Sequence, residues 1–315
     1  MNEIRPDSDT AQWKLPPPMT GDEFNAIGGF IQSRFGIKMP PVKMVMLQSR
    51  LTKRLRAMNM SSYGEYREYL FSPEGLDREV PFMIDVVTTN KTDFFREPSH
   101  FEMLRNELLP RWLRRNGGGE AFRIWSAGCA SGEEPYTMAM ILNEFAAAEP
   151  SFRFSVLGTD ISGEALDKAV RAVYPDTKTT DIPPDLKKKY LLRGREGRRG
   201  LVRIVPELRA RVTFERLNLM CDASFADRKM DVIFCRNVII YFERPVQERL
   251  FRNCCRCLET GGHLFIGLEG PRGRGVEDSG GEPAIKTRTL QKASGLRWYN
   301  NACQGDSSEA GAGAG

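Results

Sequence analysis

The chain has 315 residues, of which 41% are hydrophobic, enough for one large domain or two smaller ones. No apolar run reaches the roughly 18 residues that would suggest a membrane span, and the polar start MNEIRPDSDTAQWK lacks the apolar stretch of a signal peptide. We therefore expect a cytoplasmic protein that does not insert into a membrane. The net charge of +5 does not by itself indicate a nucleic-acid-binding protein.

The N-terminal quarter of the sequence has a helical pattern. Residues 1–20 are polar and proline-rich, and we expect a flexible tail there. Apolar side chains then recur at three- and four-residue steps, which is the spacing of one helix face. They are Met44, Leu47, Leu51, Leu55 and Met58. Because no strand-like alternation occurs nearby, residues 21–88 predict a small all-helical domain.

The pattern changes in the next part of the chain, for which we predict a second domain over residues 89–270. From residue 120 onward, short apolar runs fit buried strands: AFRIWSA, FRFSVLGTD, RVTFERLNL, DVIFCRN and GHLFIGL. Three predicted helices lie between them: EEPYTMAMILNEFAAA, GEALDKAVRAV and VQERLFRNCCRCL. Alternating strands and helices predict an α/β fold, with a parallel sheet covered on both faces.

A charged stretch interrupts this alternation. We predict a small inserted β-subdomain over residues 176–206, in which residues 190–193 and 201–205 form a hairpin. Residues 271–315 are largely low-complexity and end in GAGAG, with a last strand predicted near 290–300, at Leu296–Tyr299. Without that strand the sheet would be incomplete.

The cysteines do not indicate a metal site. With two histidines in the chain, we expect buried or inert thiols and no bound metal. Cys129, Cys221 and Cys235 stand singly in apolar or small-residue segments, Cys254, Cys255 and Cys257 crowd one predicted helix, and Cys303 lies near the end.

The stretch WSAGCASGEEPY joins a predicted strand to a helix through a glycine-rich turn. Such turns usually hold anions at the helix N-terminus, but this one carries Glu133 and Glu134 and no lysine. S-adenosylmethionine, with its sulfonium, ammonium and ribose diol, would suit acids beside a close-approaching backbone. The alternative is that both glutamates are ordinary first-turn acids, favoured by the helix dipole.

A second acid supports the cofactor interpretation. Asp160 ends the predicted strand after the glycine turn, where an acid can accept hydrogen bonds from ribose hydroxyls. Its alternative role is a plain helix cap.

Several long motifs, in order, resemble the chemotaxis receptor methyltransferase (CheR) family. They are TNKTDFFREPSHFEML, WSAGCASGEEPY, LGTDIS, LNLM and DVIFCRNVIIYF, and the likeness runs from about Phe24 to Gly267. The resemblance implies a Rossmann-like class I methyltransferase sheet, an inserted β-subdomain and an N-terminal helical domain. It also implies S-adenosylmethionine as cofactor, S-adenosylhomocysteine as product, and methyl transfer to receptor glutamates.

Site residues follow from the same resemblance. The cofactor contacts it implies are Asn90, Thr92, Arg96, Glu134, Asp160, Asn218, Leu219, Asn237 and Val238. Arg96 and Tyr241 lie in motifs that face the transfer site in the family. We assign Arg96 to holding the incoming carboxylate and Tyr241 to hydrogen bonding. The alternatives are an ion pair of Arg96 with Glu97 or another acid, and a core position for Tyr241.

The helical domain offers a basic surface. Between Arg34 and Arg56 there is no acidic residue, and the flank beside the apolar stripe carries Lys43, Arg50, Lys53 and Arg56. Alone, such a flank could be a solvated face, or could bind nucleic acid or an anionic membrane. With the resemblance, we expect it to dock an acidic receptor helix, and we expect a monomer and no nucleic-acid partner.

Two alternatives remain open at this stage. Arg193, Gly194 and Arg203 lie in the insert, which in some family members binds a C-terminal receptor peptide and in others does not. The unusual sequence after HLFIG would fit a catalytically impaired regulatory module that only binds S-adenosylmethionine or S-adenosylhomocysteine. A methyltransferase for a small molecule or nucleic acid would leave the FFRE motif unexplained.

Overall fold

The computed structural model describes residues 13–117, 119–225, 228–267, 288–292 and 298–300. The chain divides into two compact units, Met1–Thr89 and Asn90–Gly315. No helix of the described residues is long and apolar enough to cross a bilayer.

The first unit is helical. Its helices are α1 (Gly21–Phe35), α2 (Met44–Ala57), α3 (Tyr63–Leu70), α4 (Pro73–Arg78) and α5 (Val80–Val87), with a 3₁₀ turn at Pro41–Lys43 before α2. Thr20 and Glu23 form a capping box at the start of α1, and Gly36 ends it in the left-handed conformation. In α2, Leu47, Leu51 and Leu55 are fully buried, so the middle of the predicted apolar stripe lies in the core of this unit, while Met44 and Met58 at its ends are half-buried.

The predicted flexible tail ends earlier than residue 20. The Trp13 indole donates a 3.0 Å hydrogen bond to the carbonyl of Met60. Met19 is buried, and its backbone N–H donates to Gln48 Oε1 at 2.9 Å. The burial of Met19 and the hydrogen bonds of Trp13 and Met19 hold the described part of the tail, residues 13–20, against the helical unit.

The second unit contains helices that cover a sheet. These are α6 (Pro98–Met103) and α7 (Leu109–Asn116), joined by a π-helical turn at Leu104–Leu108, then α8 (Glu133–Ala148), α9 (Gly163–Arg171), α10 (Pro184–Tyr190), α11 (Pro206–Arg209) and α12 (Arg244–Cys257). Short 3₁₀ segments occur at Asp176–Thr179, Asp222–Phe225 and Ile239–Tyr241. The continuous helix from Pro98 to Asn116 was not predicted.

The main sheet has the order β10-β9-β8-β7-β1-β2-β6. Its strands are β1 (Ala121–Ala127), β2 (Arg153–Asp160), β6 (Val212–Arg216), β7 (Met230–Cys235), β8 (Leu258–Ile266), β9 (Arg288–Lys292) and β10 (Trp298–Asn300). The five strands from β6 to β8 are parallel, while β9 and β10 pair antiparallel. The predicted α/β class with a parallel sheet is confirmed.

The sheet continues beyond β8 despite the unusual sequence there. β9 was not predicted, and β10 overlaps the end of the predicted strand at Leu296–Tyr299. The first two residues of that predicted strand, with most of the low-complexity segment, lie outside the described residues.

A second, three-stranded sheet has the order β3-β5-β4. Its strands are β3 (Val173–Pro175), β4 (Leu191–Arg193) and β5 (Leu201–Ile204). The hairpin pairs Leu191 with Ile204 and Arg193 with Val202, as the sequence suggested. The small sheet begins three residues before the predicted boundary at 176, because β3 adds a strand along β5.

Candidate functional site

The glycine turn after β1 depends on glycine at two positions. Gly128 has φ +85°, and a Cβ there would lie 2.2 Å from Val238 Cγ2. Gly132 has φ +95°, and a Cβ there would lie 2.8 Å from the Ala169 side chain. Glycine therefore lets the turn adopt left-handed backbone while the chain after β7 and helix α9 approach it closely.

Glu134, in the first turn of α8, points into a polar network. Its Oε1 accepts a hydrogen bond from Ser126 Oγ at 2.7 Å. Its Oε2 accepts from Arg236 Nε at 2.8 Å and lies 2.7 Å from Arg236 Nη2. A carboxylate has about four acceptor positions, so these contacts leave roughly one free on Oε1. Glu134 is thus more than a solvated first-turn acid.

Asp160 lies next to the glycine turn, because β1 and β2 are neighbouring parallel strands and Ala127 is paired with Thr159. Its Oδ2 accepts from the Ala130 backbone N–H at 2.8 Å, and its Oδ1 accepts from the Ser162 N–H at 2.9 Å. The side chain of Ser162, not that of Asp160, caps α9. The helix-cap alternative for Asp160 is therefore not what the structure shows.

Arg236, which the sequence analysis did not select, organises one wall of the site. It is 5% exposed. Besides Glu134, its Nη1 donates to the Arg96 carbonyl at 2.8 Å and lies 3.0 Å from His100 Nδ1. The guanidinium also lies 5.0 Å from the ring centre of Phe101. A buried arginine at the end of an apolar strand implies an acidic partner, which is the signal that was available in the sequence.

The TDFFRE segment crosses the same wall in a strained conformation. Phe94 is fully buried and packs edge-on against Tyr174. Phe95 and Glu97 have φ values of +54° and +58°, which non-glycine residues rarely adopt. The Phe95 N–H donates to Thr137 Oγ1 at 3.2 Å. Such strain clusters at functional sites, and Ala130 and Asn237 show it here as well, at φ +48° and +55°.

The Arg96 side chain has few contacts. Its Nη1 donates a long, 3.4 Å hydrogen bond to the Lys91 carbonyl. Among the described residues of this unit it forms no ion pair. Glu97, the acid suggested as its partner, instead lies 3.5 Å from Arg236 Nη1 and 3.4 Å from His100 Nδ1. The half-buried guanidinium of Arg96 therefore keeps most of its donors available.

Lys178, also not predicted, fastens the start of the TDFFRE motif. Its Nζ donates to Asp93 Oδ1 and to the Thr92 carbonyl, both at 2.9 Å. It also lies 4.0 Å from the buried carboxylate of Glu133. Burial raises the pKa of Glu133, and the Ser131 hydroxyl and Lys178 oppose that rise.

The remaining predicted cofactor residues lie on nearby loops. Asn237 directly follows Arg236, and a Cβ on Gly267 would come within 2.7 Å of its backbone nitrogen. Val238 and Leu219 pack partly buried against the core on the β7 side, and Asn218 Oδ1 accepts from the Met220 N–H. Asn90, Thr92 and Tyr241 are half-buried. The Tyr241 hydroxyl has no partner in the part of the chain that is described, so the core alternative receives no support from hydrogen bonding.

The predicted docking residues differ in availability. Lys53 and Arg56 are exposed. Lys43 is half-buried and donates to the Lys38 carbonyl at 2.7 Å, and burial, with Arg50 and Lys38 nearby, lowers its pKa.

Arg50, the fourth residue of the predicted docking flank, is half-buried and already hydrogen-bonded within the helical unit. It donates to the carbonyls of Val87 and Thr88 and to Thr89 Oγ1, so it satisfies the carbonyl-rich C-terminal end of α5.

Two titratable groups near the turn, His100 and Cys129, have pKa values that keep them uncharged at neutral pH. Burial, with Arg236 close by, lowers the pKa of His100 to about 3, so its imidazole is neutral at neutral pH. Burial and Asp160 raise the pKa of Cys129 well above its usual range, which makes it a poor nucleophile. Of the other described cysteines, Cys221 is exposed and the rest are buried.

The fold and the site together define a class. A parallel sheet with a glycine-rich turn after its first strand and an acid ending the next strand is the arrangement of proteins that bind a nucleoside cofactor. Beside the turn, Glu134 retains an acceptor position for a positive group.

Comparison with known proteins identifies the family within that class. The CheR methyltransferase SAM-binding domain matches residues 90–270, and the CheR all-alpha domain matches residues 22–88. The chain is 35% identical over 252 residues to a chemotaxis protein methyltransferase from Borreliella burgdorferi, covering 79% of this chain and 88% of the relative.

Two further relatives agree. The chain is 37% identical over 250 residues to chemotaxis protein methyltransferase 2 of Pseudomonas aeruginosa, covering 79% and 86% of the two chains. It is 36% identical over 244 residues to the Escherichia coli chemotaxis protein methyltransferase, covering 78% and 82%. The chain belongs to the CheR methyltransferase family, and its cofactor is S-adenosylmethionine.

Proposed function

We propose that this protein transfers the methyl group of S-adenosylmethionine to glutamate side chains of chemotaxis receptors and forms glutamyl methyl esters. The observation that carries the proposal is the pair Glu134, in the first turn of α8 after the glycine turn, and Asp160, at the end of the adjacent strand β2, each held by hydrogen bonds. Membership of a family whose members are named for chemotaxis supports the choice of substrate.

The residues present fit the cofactor. Glu134 has an acceptor position left for the ammonium, and Asp160 is placed to meet the ribose hydroxyls. Gly128 keeps the turn backbone open, since a Cβ there would meet Val238. Asn218 and Leu219 would line the adenine, and Asn90, Thr92, Asn237 and Val238 would complete the enclosure. When bound, the cofactor supplies an electrophilic methyl group on its sulfonium.

The reaction requires little general acid–base catalysis from the protein. A glutamate carboxylate has an ordinary pKa of about 4.3 and is already ionised at neutral pH, so no general base is needed. The neutral, buried His100 fits that requirement. Arg96, with free donors, would orient the substrate carboxylate, and Tyr241 would add a hydrogen bond. Placing the reactants in line and excluding water would supply most of the acceleration.

The exposed cations of the helical unit would dock the receptor. Lys53 and Arg56, with Lys43 beside them, match an acidic helical region that carries several glutamates. Such complementarity speeds encounter and depends on salt. In the other unit, edge strand β4 is where a C-terminal receptor peptide would add as an extra strand. Deleting that peptide from the receptor should then raise KM while leaving kcat unchanged.

The alternative, an impaired binding module, rested on the atypical C-terminal sequence. Strands β9 and β10 extend the sheet past β8, which weakens the reason for proposing an impaired module. The discriminating experiment incubates the protein with methyl-tritiated S-adenosylmethionine and receptor-rich membranes. Label released as volatile methanol by alkali supports glutamate methylation, and calorimetric binding of S-adenosylhomocysteine without any turnover supports the module.

A further inference from the structure

A cavity lies at the end of the sheet opposite to the candidate site. It opens to solvent and leaves about 30 Å³ of space for the centres of water-sized molecules, between the C-terminal half of α7 and the starts of β1 and β7. Its lining includes Arg111, Trp112, Arg115, Asp231 and His263. From Phe122 on its wall to Ala127, where the glycine turn begins, is five residues of strand, or about 17 Å. The cavity is therefore separate from the methyl-transfer chemistry.

One buried polar group in this cavity lacks a partner. His263 is 4% exposed, and its Nε2 has no hydrogen-bond partner within the described residues. Burial and the guanidinium groups of Arg111 and Arg115 lower its pKa to about 4. A buried polar atom without a hydrogen-bond partner is unfavourable in free energy. A ligand that forms a hydrogen bond with this nitrogen would therefore bind more favourably.

Positive charge in the cavity is not matched by the acid beside it. Arg111 and Arg115 are one turn apart on α7 and both are exposed. Arg115 Nη1 donates to the Thr260 carbonyl at 2.8 Å, while Arg111 makes no hydrogen bond or ion pair to any described residue.

The acid is already occupied by other donors. Asp231 Oδ1 accepts from Trp112 Nε1 at 2.7 Å, and its Oδ2 accepts from the Arg123 backbone N–H at 2.8 Å. Glu259, the other acid near this end, lies 3.5 Å from Arg123 Nη2. Arg111, Arg115 and His263 thus line one cavity, where the Arg111 guanidinium and His263 Nε2 have no acceptor among the described residues.

We propose that this cavity binds a small oxyanion of the phosphate type, held by the guanidinium groups of Arg111 and Arg115 and by His263 Nε2. Planar guanidinium groups pair with tetrahedral oxyanions through parallel hydrogen bonds, and a buried imidazole N–H completes the set. Inorganic phosphate and the phosphate of a monoester present the same chemistry. The proposal does not rest on the proposed methyl transfer.

The test follows the imidazole NMR signals, which are simple because the chain has two histidines. Inorganic phosphate, and separately AMP as a monoester, is titrated at constant ionic strength set with sodium chloride. We expect a saturable shift of the His263 signal and a rise in its pKa, because a bound anion favours the imidazolium, while the His100 signal stays fixed. Tighter binding of AMP would identify a monoester ligand, and equal binding would identify phosphate itself.

Matched variants make the test specific. Arg111→Gln should weaken binding at least tenfold, as should Arg115→Gln. Arg114→Gln, on the same helix but outside the lining, should bind like the parent. An unchanged His100 signal shows that each variant is folded, and Arg111 lacks partners whose loss would unfold the chain. A His263 signal that ignores phosphate, responds equally to chloride, or responds equally in Arg111→Gln overturns the proposal.

Discussion

Replacement of Arg236 by glutamine tests the network that joins the glycine turn to the TDFFRE segment. The change removes a buried, two-point ion pair to Glu134, a hydrogen bond to the Arg96 carbonyl and the ring contact with Phe101. Breaking a buried pair from one side costs about 3–5 kcal/mol, and we take about 3, because Glu134 keeps Ser126 and some solvent contact. For a unit of this size that is about 6–12 °C in Tm.

The assay is thermal unfolding, combined with calorimetric titration of S-adenosylhomocysteine. The affinity should fall at least tenfold, since Glu134 is no longer held toward the turn. The matched control is Arg54→Gln in the helical unit, where Arg54 also makes a two-point pair with a buried glutamate, Glu79, and stacks over Phe82. It should lower stability without changing cofactor affinity. Equal affinity in the two variants would refute the role given to Arg236.

Three further predictions concern the same site and its surroundings. Arg96→Ala should lower kcat about 100-fold, roughly 2.7 kcal/mol. Tm should change little, because the Arg96 side chain makes only a long, 3.4 Å hydrogen bond among the described residues, and lysine should rescue poorly; a loss of Tm with normal kcat would contradict this. Asp160→Asn should raise the Kd for S-adenosylhomocysteine about tenfold at unchanged saturating kcat, which initial-rate and binding measurements check. Unfolded imidazoles protonate near pH 6.5, whereas His100 and His263 in the folded protein have pKa values of about 3 and about 4. The unfolded state therefore binds more protons, and the free energy of unfolding should fall as pH drops from about 6.5 toward 4. Urea titrations should show a shallower fall of this free energy with pH for His100→Asn, and the same pH dependence in both proteins would contradict the prediction.

The sequence was sufficient for the elements whose signal is local. The strands β1, β2 and β7 are short apolar runs, and burial on both faces is what makes such runs continuous. Glu134 and Asp160 were predicted as cofactor contacts because each stands at the end of such a run or in the turn after it. The small hairpin was found because charged, glycine-containing residues separate its two strands.

The sequence was insufficient where contacts join distant segments. Arg236 meets a glutamate 102 residues earlier, and Lys178 meets Asp93 across 85 residues. Arg50 fits a basic flank by helical spacing, but it is taken up by carbonyls 37 and 38 residues away. Trp13 lies in a polar, proline-rich stretch, and only the packed helices give its indole a partner.

The most direct test of the central claim is mass spectrometry of receptor peptides after incubation with S-adenosylmethionine. The account predicts one added methyl group on glutamate side chains, removed by mild alkali, and much reduced with the Arg96→Ala variant. Receptor glutamates that remain unmodified, although the protein binds S-adenosylhomocysteine and is folded, would contradict it.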